Sequence, residues 1–199
     1  IGKIVLASSV NALGAGWPTA LWGDPPIPPK YFPVDEKHPT RVKDVYSLTK
    51  WLGEEMAESF ARKRKVQISS MRFHGLWDEE TSKNFLENGD KRKLTGQSSG
   101  GFFSYTDRRD AASACRMSIE GSWSGHEAFF INGKDTVLEI PTREVAKEVY
   151  SEVPFVKEVD EFGTLLDISK AKEMLNWNPA RGDLEMLIAA YNSFESRDP

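Results

Sequence analysis

One cysteine, Cys115, stands in 199 residues, so no internal disulfide can form and packing alone must hold the fold. Such sparing use of cysteine fits a reducing compartment, and a cytoplasmic protein is expected. No apolar run approaches the ~20 residues that cross a bilayer and no secretory signal opens the chain, so no membrane partner is expected. Positive charge is scarce as a patch: the net charge is −4, and the tight basic runs, Arg62 to Lys65 and Lys91 to Lys93, sit among acidic neighbours. They read as solvated surface, and no nucleic-acid partner is expected. No metal site is expected.

What is present is ordinary for a soluble domain with a real core, 39 % apolar and 28 % charged residues. The chain opens directly on IGKIVLASS, without an initiator Met, and reads as a fragment. Lys3 to Ser8 carries Ile4, Val5, Leu6 and Ala7 in near-continuous apolar order, the pattern of a parallel strand covered on both faces. Ser8 and Ser9 follow at its carboxyl end, where ligands gather in open α/β sheets, although serines also begin turns.

Between Asn11 and Thr40 lie seven prolines together with Trp17, Trp22, Tyr31 and Phe32. Proline at this density forbids a helix interior and stiffens the backbone. The aromatics argue against plain disorder, and the stretch is expected to be a long loop that walls a substrate pocket, with a surface flap as the alternative.

Asp44 is placed to cap a helix running to Arg64. Val45, Leu48, Leu52, Met56 and Ser59/Phe60 form an apolar stripe on it, able to cover a sheet or to pair with a second copy. Tyr46, Lys50, Gly53 and Ala57 make a second line beside it, and Glu58 can pair with Arg62. Tyr46 and Lys50, four residues apart, share one face. A phenol titrates near ~10 and serves as a base at neutral pH only with a neighbouring positive charge, which Lys50 could supply. The spacing alone is weak: five Tyr and fifteen Lys give roughly 0.4 occurrences by chance, and a half-buried Tyr beside a solvated Lys explains it equally.

Val66 to Phe73 reads as a second strand, ending in His74 and Gly75; a lone histidine there is more often structural. A short helix is expected over Thr81 to Asn88. Thr106 or Asp107 should cap a helix to about Glu120, with Ala111, Ala112, Ala114, Cys115 and Ile119 inward. Ala128 to Asn132 is a third strand. Thr142 should cap a helix to Tyr150, Asp167 one through Leu175, and Asp183 a last one from Leu184 to Phe194. This alternation indicates α/β architecture with a parallel sheet.

In this order, IVLASSVNALG, FPVDEKHPTRVKDVYSLTK, ISSMRFHGLW, FSYTDRRDAASA and LLDISKAKEMLNWNP resemble the extended short-chain dehydrogenase/reductases, especially the NAD-dependent epimerase/dehydratase branch. The resemblance implies a partial Rossmann-like parallel sheet flanked by helices, with a smaller C-terminal substrate-binding region. Residues 1–75 would be the C-terminal part of the NAD(P)-binding domain, and residues 76–199 the remaining sheet strand, helices and substrate-binding region. It also implies roles. Tyr46 is the acid/base, Lys50 lowers its pKa and holds the nicotinamide ribose, and Ser9 orients the substrate oxygen. Ala7 and Ser8 line the cofactor side. Phe73, His74 and Gly75 meet the nicotinamide amide. Asn11 and Gly75, with Ser9 and Tyr46, face substrate.

Two departures stand out. The family's glycine-rich dinucleotide turn is missing, since Gly14-Ala15-Gly16 is wrongly spaced and runs into Trp17-Pro18. The arginine that binds a nucleotide-sugar pyrophosphate is replaced by Phe103, with Arg108 and Arg109 beyond it, which favours smaller or more apolar substrates. The expected parent is therefore an NAD- or NADP-dependent epimerase/dehydratase or oxidoreductase of a small substrate, of which this chain is an inactive C-terminal part; a homodimer is one expectation for that parent. A non-catalytic binding module built on the same fold, and an unstable fragment, are the alternatives.

Overall fold

The structure, a computed structural model, describes residues 1–15, 27–88 and 102–179. In chain order its elements are β1 (Lys3–Ser9), a 3-10 helix (Val10–Leu13), α1 (Val45–Arg64), β2 (Gln67–Phe73), β3 (Leu76–Trp77), α2 (Glu79–Asn88), β4 (Thr106–Asp107), α3 (Arg108–Glu120), β5 (His126–Ile131), α4 (Thr142–Val149) and α5 (Ser169–Leu175). Strands β1, β2 and β5 form one parallel sheet in that spatial order. Its register sets Ser8 beside Arg72, Ser9 beside Phe73, and Arg72 beside Phe130. Each parallel step needs a crossover, and α1 and α3 supply them. The expected α/β class with a parallel sheet flanked by helices is what the chain forms.

Below α1, Ala57 and Ala61 pack on Ile68 with Ile4 and Leu6. The larger core joins Leu13, Phe32, Met71, Phe129, Ile131 and Trp177. Polar pairs cross it as well. Ser69 meets the Ser118 hydroxyl of α3 at 2.5 Å, and the Trp177 indole donates to the Asp110 carbonyl.

Several expectations are corrected. The α1 stripe does not cover the sheet: Val45, Leu48, Leu52, Met56 and Phe60 are exposed, while Ser47, Glu54, Ala57 and Ala61 are buried. Small side chains let the helix approach the strands closely, so the bulky line is turned outward. On α3, Ala111 and Ala114 are buried and Cys115 half-buried as expected, but Ala112 and Ile119 are exposed, and Asp110 and Ser118 take the inward places. Thr142 begins α4 without capping it, because its hydroxyl donates to the Gly163 carbonyl.

The proline-rich stretch is not loop throughout. It opens with the 3-10 helix, and Phe32 and Val34 form isolated bridges to Phe155 and Leu166 that bring Phe32 into the core. Trp17 and Trp22 lie outside the described residues, as does the helix expected over 184–194. The caps at Asp44 and Asp107 form as expected, whereas the N-cap position of α5 is Ile168, not Asp167, which sits one residue earlier and accepts from the Ser169 amide. The two-residue pair β3 and β4 was not anticipated, since so short a bridge carries no periodicity. Among the described residues no helix is long and apolar enough to cross a membrane, and no cluster of His, Cys, Asp or Glu could hold a metal ion.

Candidate active site

Gly14 fixes how the carboxyl end of β1 meets α1. It ends the 3-10 helix at φ 65°, and a Cβ there would lie 2.4 Å from backbone atoms of Arg41 and Val42. The Arg41 amide donates to the Leu13 carbonyl, so residues 41–44 are stapled against the turn after β1. Asp44 then caps α1, accepting from the Ser47 amide at 2.8 Å and from the Ser47 hydroxyl. Partial burial opposes ionisation of Asp44, but those bonds win and hold its carboxyl below the usual range.

This arrangement delivers the first turns of α1 to the end of β1. Lys50 Nζ donates to the Ala7 carbonyl at 3.0 Å and stands 5.5 Å from the centre of the Tyr46 ring. Tyr46 is 52 % exposed, and among the described residues its phenol makes no hydrogen bond. A free phenol beside a fixed ammonium, outside the carboxyl ends of parallel strands, is equipped to exchange a proton with a ligand atom. Tyr31 is not. Its hydroxyl is tied to Asp35 at 2.7 Å, and desolvation followed by that bond pushes its pKa up to about 12.

The other anticipated residues lie at the carboxyl ends of β1 and β2 and just beyond them. Ser9 is buried and its Oγ accepts from the Asn11 amide, capping the 3-10 helix, with Asn11 half-buried beside it. Ala7 is exposed, whereas Ser8 is buried and directs its hydroxyl to α1. At the end of β2, Phe73 lies in register with Ser9. The His74 amide donates to Thr106 Oγ1, which donates in turn to the Ile131 carbonyl, while Gly75 is exposed and donates to His74 Nδ1. The ends of β2 and β5 are thereby tied through β4.

Two residues escaped the sequence reading. Glu54, on α1, and Arg72, on β2, form a buried ion pair that also accepts the Ser8 hydroxyl. The signals were present: Glu54 is one turn beyond Lys50 on the same face, and Arg72 interrupts a strand of small and apolar residues. Phe103 is fully buried, and Arg108 and Arg109 are engaged by Asp78 and Asp107 at the start of α3.

No family model matches the chain. It is 26 % identical over 197 residues to the "Putative UDP-glucose 4-epimerase" of Methanocaldococcus jannaschii, covering 90 % of this chain and 58 % of that protein. Among solved structures it is similar to the UDP-glucose 4-epimerase of Thermotoga maritima with UDP-glucose, at a TM-score of 0.58 and 18 % identity over 98 % of this chain and 64 % of the other. It is similar also to the dTDP-glucose 4,6-dehydratase of Bacillus anthracis in complex with NAD, with a TM-score of 0.55 and 16 % identity over 98 % and 63 %. The fold is that of the NAD-dependent epimerase/dehydratase enzymes. The chain spans somewhat under two thirds of the length of these epimerase/dehydratase relatives.

Proposed function

We propose that this chain carries the acid/base half of an NAD- or NADP-dependent epimerase/dehydratase or oxidoreductase acting at a hydroxyl or carbonyl carbon of a sugar-like substrate. The observation that carries the reading is the half-exposed Tyr46 phenol with the Lys50 ammonium beside it. The residues present fit the nicotinamide end of a dinucleotide. Lys50 is anchored on Ala7, the end of β2 presents an exposed Gly75, and a Cβ there would meet only the Trp77 ring at 3.6 Å. When bound, the nicotinamide supplies the hydride acceptor or donor. Tyr46 takes or returns the proton of the substrate hydroxyl, Lys50 stabilises the phenolate, and Ser9 orients the substrate oxygen. Ala7, Ser8, Phe73, His74 and Gly75 border the cofactor, and Asn11 and Gly75 border the substrate. The glycine-rich turn for the cofactor phosphates is not in this sequence, so the chain by itself does not turn over. A single cysteine, Cys115, without a disulfide partner suits a reducing compartment such as the cytoplasm.

Against the smaller or more apolar substrate expected from Phe103, a sugar carried on a nucleotide is the favoured substrate class. It is supported by the name of the Methanocaldococcus relative and by UDP-glucose in the Thermotoga structure. Buried Phe103 leaves its position without a guanidinium, so a diphosphate contact would fall to another residue.

The test joins this chain to an N-terminal cofactor-binding half and follows UDP-glucose turnover with NAD. Tyr46→Phe is expected to lower kcat by about 10²-fold or more. Turnover that survives this change overturns the reading, and micromolar binding of NAD or NADP to the chain alone overturns the statement that the missing half is needed.

A further inference from the structure

A single buried carboxylate joins α1 to the sheet at the level of the candidate site. Ser8 Oγ donates to Glu54 Oε1 at 2.5 Å, and Arg72 donates to Glu54 through Nε at 3.0 Å and Nη2 at 2.7 Å. The guanidinium also lies over the Phe130 ring. Glu54, Arg72 and Ser8 are all buried. A buried ion pair adds little net stability over well-packed apolar residues of similar volume. A carboxylate held through both oxygens by one edge of a planar guanidinium is fixed in orientation. Here the free side of Glu54 Oε1 accepts from Ser8. On one side of Ser8 is Ala7, whose carbonyl anchors Lys50; on the other is Ser9, whose hydroxyl shapes the turn through Asn11. Glu54 itself is one helical turn from Lys50 and two from Tyr46.

We infer that Glu54 is a positioning residue, acting through Ser8 to set the Ala7–Ser9 end of β1 against the Tyr46–Lys50 face of α1, with Arg72 holding the carboxylate. Its consequence for catalysis rests on the function proposed above; the coupling does not. Removing the Ser8 hydroxyl should loosen the turn after β1 and displace the Lys50 anchor while leaving the rest of the sheet intact.

Glu54→Gln strips a buried cation of its partner and endangers the fold, so the smaller Ser8 changes carry the decision. In the chain itself, Ser8→Ala should speed amide hydrogen exchange at Asn11 and Gly14 by about tenfold while β5 keeps its rates, and Ser8→Thr should restore them. Unchanged exchange at Asn11 and Gly14 overturns the inference, whatever the activity. In the protein joined to its cofactor half, Ser8→Ala should lower kcat about tenfold with KM within about twofold, again recovered by Ser8→Thr. Unchanged kcat in a protein that Tyr46→Phe inactivates overturns it too. If no form turns over, wild type included, the functional reading fails and the exchange result alone decides the inference.

Discussion

The Glu54 carboxylate and the Arg72 guanidinium meet at 2.7 Å with each side chain only 6 % exposed. Truncating one partner leaves an uncompensated buried charge, so Arg72→Ala should cost about 3–5 kcal/mol in urea unfolding. Replacing both with apolar residues, Glu54→Leu with Arg72→Met, should cost markedly less. Equal losses in the single and double variants would show that packing, not charge, dominates there.

His126 makes stability depend on pH. Its Nε2 meets Ser70 Oγ at 2.8 Å and its Nδ1 stands 3.6 Å from Glu58. Desolvation lowers its pKa; Glu54, Glu58 and Glu127 oppose the shift, and Lys170 reinforces it. The unfolded chain therefore binds this proton first as pH falls. The His126 contribution is complete above about pH 6.5 and is lost progressively below it. His126→Gln should flatten that part of the stability curve, and an unchanged slope would exclude His126 as its source.

Gly14 and Gly125 separate conformational strain from steric clash. Both have positive φ, 65° and 85°, but only Gly14 has backbone atoms where a Cβ would go. Gly125→Ala should cost about 1–2 kcal/mol, the left-handed penalty alone. Gly14→Ala should cost on the order of 3 kcal/mol or more, because Arg41 and Val42 must also move. Similar unfolding midpoints for the two variants would contradict this difference.

We propose that the outward stripe of α1 pairs with a second copy in a longer parent protein. Leu52→Glu with Met56→Glu should change unfolding of the chain by no more than about 0.5 kcal/mol, both sites being exposed. In the parent the same changes should convert a dimer to monomer in sedimentation at about 10 µM. A wild-type parent that sediments as a monomer there removes the proposal.

The strands, the caps at Asp44 and Asp107 and the Glu58–Arg62 pair were legible because each rests on a local rule: apolar order, an oxygen before a helix, a one-turn spacing. The short β3–β4 pair, the Phe32 and Val34 bridges and the outward rotation of the α1 stripe were not. Each depends on which partner a residue meets across the chain. An apolar stripe shows that a helix is two-faced, but not which face the sheet accepts; here close approach selected Ala57 and Ala61.

The candidate site divides in the same way. The sequence by itself determined that Tyr46 and Lys50 share a helical face and that Ser9 ends a strand, since helical and strand periodicity are properties of neighbours in the chain. Only the tertiary structure decided that Lys50 is anchored on Ala7, 43 residues away, and that Glu54 reaches Ser8 under the hold of Arg72. Burial is the reason: once these polar groups leave water, each must find a partner, and the packed sheet determines which partner is within reach.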